Sequence, residues 1–132
     1  MPLRLNLRPH EKLFLNGAVI VNGESRTEFT VLNDAAILRE KDIMTEEAAN
    51  TVCKRIYFLI QLMYIDPPSL RGYRNALDAV LEETGKAVPD LAPFLDRIRD
   101  LVSNGSYYQA MKVARKLISI EKETLENAGK PD

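Results

Sequence analysis

The sequence is poor in the residues that carry covalent and metal chemistry: it has one cysteine, Cys53, one histidine, His10, and no tryptophan. A single cysteine excludes an intramolecular disulfide and any zinc site built from several thiolates. A nucleophilic Cys–His pair would have to join Cys53 in TVCKRIYF to His10 in RPHEK, and Cys53 reads better as a small buried residue. No run of about 18 apolar residues occurs, so no membrane-spanning helix is expected. The opening MPLRLNLRPHEK lacks a signal-peptide core, which makes the cytoplasm the expected compartment. The phosphate-cradling patterns GxGxxG and GxxxxGKS/T are absent, as is the nucleophile elbow GxSxG. Formal net charge is only −1, so any contact with RNA or DNA must rest on a local patch.

Carboxylates are plentiful but badly placed for catalysis. Glu46–Glu47 and Glu82–Glu83 are adjacent on expected helices, where neighbouring side chains diverge by about 100°. They read as solvated faces. No catalytic residue, cofactor or metal ligand is assigned, and the chain is not expected to be an enzyme.

What is present is a change of period. Up to residue 44 the pattern alternates: Leu3, Leu5 and Leu7 face one way, and Arg4, Asn6 and Arg8 the other. Further strands are expected over 12–15, 18–21, 28–32 and 36–39. Asn16–Gly17 and Asn22–Gly23 read as two tight hairpin turns of type I′. Residues 45–128 follow helical spacing. Thr45 is the expected cap of a first helix, with residues 56–64 open to a strand as well; Asp66–Pro67–Pro68 closes that segment. Ser69 would cap a second helix stopped by Gly85, Asp90 a third stopped by Asn104–Gly105, and Ser106 opens a fourth. The tail, 129–132, should fray. The fold class is α+β: a small antiparallel β meander, barrel-like, of about five strands (1–44), then a bundle of three to four helices (45–128).

Two places hold basic residues of interest. Arg4 and Arg8 on the first strand, with Arg39 and Lys41 near the last, would form a cationic ridge for RNA if those strands are neighbours. On the fourth helix Lys112, Arg115 and Lys116 make a stripe beside Tyr107 and Tyr108, a candidate surface for a protein partner.

Four stretches in order, MPLRLNLRPHEKLFLNGAVIVNG, LREKDIM, RIYFLIQLMYID and SYYQAMKVARKLISIE, resemble the FlbT family of flagellar biosynthesis repressors. That resemblance implies a post-transcriptional repressor that associates with the 5′ untranslated region of flagellin mRNA and promotes its decay. It also implies a flagellin mRNA leader as partner, with the FlaF regulator or flagellin itself as protein partners. The alternative it leaves open is a protein-interaction module whose effect on mRNA is indirect. The β part is similar in strand rhythm to the carbon storage regulator family, dimeric mRNA-leader binders, with Arg39, Leu5 and Arg8 at the matching positions. Leu7 and Arg8 stand where that family has paired arginines. A homodimer is a further expectation from this likeness.

Overall fold

The computed structural model describes residues 2–66 and 70–128. Residue contacts group the chain into two compact units, Met1–Ile43 and Met44–Asp132.

The first unit has five strands: β1 (Leu3–Leu7), β2 (Lys12–Leu15), β3 (Ala18–Val21), β4 (Thr27–Val31) and β5 (Ile37–Arg39). They form two antiparallel sheets, β1–β4 and β3–β2–β5, in place of a continuous meander. The alternation of β1 is real, since Leu5 and Leu7 are buried. With Leu13 they form a core against which Phe29, Val31 and Ile37 pack. The first Asn–Gly makes the expected turn: Asn16 and Gly17 take φ of 47° and 88°, and Leu15 pairs with Ala18.

The second Asn–Gly does not. No hairpin joins β3 to β4, because β4 pairs with β1 from Leu3↔Val31 to Leu7↔Thr27. Here the side chain of Asn22, not its backbone, is used. Its Nδ2 donates to the carbonyls of Arg8 at 2.8 Å, Ser25 at 3.0 Å and Leu7 at 3.2 Å. Its Oδ1 accepts from Gly23 N–H at 2.9 Å and the Thr27 hydroxyl at 3.0 Å. One amide thus ties the crossover between sheets to the end of β1.

The second unit holds α1 (Val52–Ile65), α2 (Leu70–Ala87), α3 (Ala92–Ser103) and α4 (Tyr107–Ala128). Residues 56–64 are helix. Thr45 caps only an isolated turn, its Oγ1 accepting from Ala48 N–H at 3.2 Å. The cap of the helix lies six positions later, where Thr51 is extended and accepts from Lys54 N–H at 3.2 Å. That start wins because Glu121 of α4 receives the Cys53 N–H at 3.2 Å, satisfying a second free donor at the positive end of the helix.

Gly85 does not stop α2, which runs on to Ala87; Pro89, which disfavours helix in the residue before it, ends it. Asp90 caps nothing. It lies inside a 3₁₀ turn, Pro89–Leu91, and Leu91 precedes α3 without a side-chain cap. Asn104–Gly105 closes α3 as expected: Gly105 has φ of 76°, Ser106 N–H donates to Leu101 O at 2.8 Å and Gly105 N–H to Val102 O at 3.0 Å. The expected cap Ser69 and the tail 129–132 lie outside the described residues.

The nearly all-apolar α1 packs against both α2 and α4, and α4 also against α3. Ile56, Ile60 and Met63 of α1 are fully buried, as are Leu77, Leu81, Leu95, Ile98, Met111 and Leu117 from the other helices. Among the described residues, no helix is long and apolar enough to cross a membrane.

Candidate nucleic-acid interface

β1 and β5 are not hydrogen-bonded neighbours, so the four basic residues of the β unit do not line up as one ridge. Arg4 pairs with Glu28 at 3.2 Å on the exposed face of β1 and β4. Lys41 is exposed in a 3₁₀ turn, Glu40–Asp42, that follows β5. The other two converge. Arg39, opposite Leu13 in the β2–β5 ladder, donates through Nη2 to the carbonyl of Asn6 on β1. The same Nη2 lies 3.5 Å from Glu11 Oε1, and Arg8 Nε lies 3.9 Å from that oxygen. Arg39 thereby bridges the first and last strands by its side chain.

Glu11 is the hinge of this cluster. Only 5% exposed, its carboxylate accepts the backbone N–H of Arg8 at 2.9 Å. That hydrogen bond holds its pKa below the ordinary 4.5; burial opposes the shift, and the hydrogen bond and charge of Arg39 and the charge of Arg8 reinforce it. A carboxylate with a lowered native pKa contributes stability above its unfolded pKa and loses it as pH falls through the native one. Between neutral pH and about 4.5 the wild-type protein should therefore keep its full margin over Glu11→Gln, and that margin should shrink as acid is added below 4.5. Thermal melts of both proteins across that range check this; a margin independent of pH would refute it.

On α4, Lys112 Nζ sits 5.0 Å from the ring centre of Tyr108, and Tyr108 lies 6.2 Å from Tyr64 of α1. Arg115 lies over Tyr57 at 5.7 Å and donates to its hydroxyl at 3.2 Å. Two of the three cations in the stripe thus bind aromatic faces of their own unit, where cation–π attraction holds them. Lys116 is exposed and Tyr107 half-buried. These contacts, with Cys53 against Glu121, run α1 and α4 antiparallel.

The Cys53 thiol is pushed up to about 12 by burial and by the neighbouring charge and hydrogen bond of Glu121, so it is no thiolate nucleophile near neutral pH. Among the described residues no three His, Cys, Asp or Glu side chains cluster as metal ligands do. A cavity of about 370 Å³ opens between the ends of α2 and α4, with Val52 and Cys53 of α1 on its wall. Val52, Val88 and Leu125 expose apolar surface there, and Glu83 and Glu121 also line it.

The family described as "Flagellar protein FlbT" matches residues 3–125. The chain belongs to the FlbT family. A probable flagellum biosynthesis repressor protein FlbT of Rhodopseudomonas palustris (strain TIE-1) is 38% identical over 95% of this chain and 98% of its own. One from Caulobacter sp. (strain K31) is 39% identical over 95% and 97%. The flagellum biosynthesis repressor protein FlbT of Caulobacter vibrioides is 38% identical over 95% and 90%. No solved structure matches the chain.

Two residues of this FlbT-family β unit escaped the sequence reading. Glu11 was hidden because a lone acid between His10 and Lys12 looks solvated, although Pro9 two positions earlier marks the turn that folds it back onto Arg8. Asn22, before a glycine, has the signature of a turn former, and its five hydrogen bonds have none.

Proposed function

We propose that this chain represses flagellin synthesis after transcription, its β unit contacting the 5′ untranslated region of flagellin mRNA and the bound leader being directed to decay. Membership of the FlbT family and the names of its curated members support a repressor role in flagellar synthesis. The observation that carries the RNA contact is the convergence of Arg8 and Arg39 at Glu11, with Lys41 exposed just after β5. In a chain of net charge −1, two guanidinium groups drawn to one carboxylate, that of Arg39 anchored and that of Arg8 exposed, are the kind of local patch that phosphates need.

Gel-shift titration with a flagellin leader tests it. Arg8→Ala together with Arg39→Ala should weaken binding about tenfold or more and flatten the salt dependence by about 1.4 in log–log slope, two single-strand phosphate contacts' worth. Unchanged affinity and slope in the folded double variant would sink the assignment.

A second reading has its own observation. The apolar cavity beside Val52, Val88 and Leu125 suits a helix of a protein partner, with flagellin or the FlaF regulator as the candidates. Protein that co-elutes with either one yet retains no leader RNA at low salt would favour this reading.

A further inference from the structure

The turn between β1 and β2 holds a residue in a conformation it disfavours. Pro9 and His10 are its central residues, Glu11 N–H donates to Arg8 O at 3.1 Å, and His10 has φ of 62°. Proline followed by positive φ is the pattern of a type II turn, whose third position is normally glycine because a Cβ is strained there.

The surroundings fix this geometry from several sides. His10 N–H donates to Gly23 O at 3.0 Å, and Asn22 N–H to Glu11 O at 2.9 Å. The Asn22 amide also donates to Arg8 O at 2.8 Å. The imidazole itself stands exposed, with no hydrogen-bond or ion-pair partner among the described residues. Glycine would make the same turn without strain, so the fold does not account for a histidine there. A strained residue whose neighbours over-determine it points to a use for its side chain.

His10 shares its turn with Arg8, whose side chain is 69% exposed, and is next in sequence to Glu11, which draws in Arg39. A planar ring next to guanidinium groups is the combination that single-stranded RNA takes: bases stack on the ring, and phosphates bind the cations. We propose that the Arg8–Glu11 turn is a nucleotide-binding tip, in which His10 stacks an unpaired base of a single-stranded RNA while Arg8 and Arg39 engage the adjoining phosphates; this rests on the RNA-binding reading above.

The test separates stability from affinity in the full chain, with flagellin leader RNA as probe. His10→Gly relieves the backbone and should raise the melting temperature, yet weaken binding about fivefold or more, the lower end of what losing one stacking side chain costs. His10→Tyr, which keeps a stacking face, should recover most of the affinity. If His10→Gly binds as tightly as wild type while Arg8→Ala loses affinity, the assignment of His10 is overturned and the RNA reading stands. Failure of the wild-type protein to retain any leader at low salt overturns both.

Discussion

Leu13→Ala is expected to unfold the β unit and leave the helical unit folded. Leu13 is fully buried at the centre of β2, and its core partners are few: Leu5 and Leu7, with Phe29, Val31 and Ile37 partly buried around them. Cutting a buried leucine to alanine costs about 3 to 5 kcal/mol, through lost transfer energy and the cavity left behind. A unit spanning Met1–Ile43 has a core that supplies roughly that much in total. The larger core of α1–α4 does not include Leu13. Amide hydrogen exchange should show β1–β5 losing protection while α1 and α4 keep theirs. Leu3→Ala, on the same strand face as Leu5 but 46% exposed, is the control and should shift stability by no more than about 0.5 kcal/mol. Retained protection in β2 of the Leu13 variant would refute the expectation.

Gln61→Leu should be nearly as damaging to the helical unit, through hydrogen bonds and not through volume. Gln61 is 2% exposed and faces the chain that enters α1. Its Oε1 accepts the Met44 N–H at 2.8 Å and its Nε2 donates to the Met44 carbonyl at 2.9 Å. The side-chain amide thus satisfies one residue's backbone donor and acceptor together, as a neighbouring strand would. Leucine of similar size leaves both groups without partners, which costs about 2 to 4 kcal/mol. Urea unfolding followed by helical circular dichroism measures it; a loss under about 1 kcal/mol would mean that water replaces the amide at Met44. Glu at the same position should recover only part, since it can accept the N–H but sets an anion against the carbonyl.

These two residues mark what the sequence discloses and what it withholds. Leu13 is legible in part: the short strand 12–15 that holds it ends at a recognisable turn, but three consecutive apolar residues, Leu13, Phe14 and Leu15, do not say which face is buried. Gln61 is not, because a glutamine in RIYFLIQLMYID carries no sign that its partner is a backbone seventeen positions away. The misplaced helix start has the same origin. Thr45 and Thr51 both suit a cap, and the choice between them is made by Glu121, far along the chain. Gly85 has the look of a stop, but Pro89 is the stronger one and sets the end of α2. In the β unit, Arg8 and Arg39 stand out by type and position. The cluster they form rests on Glu11, and the strand order that assembles it follows from no local rule, since two short turns with the same Asn–Gly sequence do different things. Local geometry was readable wherever neighbours in sequence are neighbours in space, and unreadable wherever a lone polar group serves a distant backbone.

The capping of α1 by Glu121 also bears on the order in which the chain assembles. The carboxylate and the N–H it receives are 68 positions apart, and α1 and α4 share the central seam of the bundle. A nascent chain emerging from the ribosome has every strand of the β unit in hand once Arg39 is out. The helical unit must wait. Until α4 is made, α1 has only α2 to cover an almost wholly apolar surface, and its first turn is short of an acceptor. Throughout that interval the newborn protein is half finished, with two settled sheets followed by an apolar helix that still lacks its main partner.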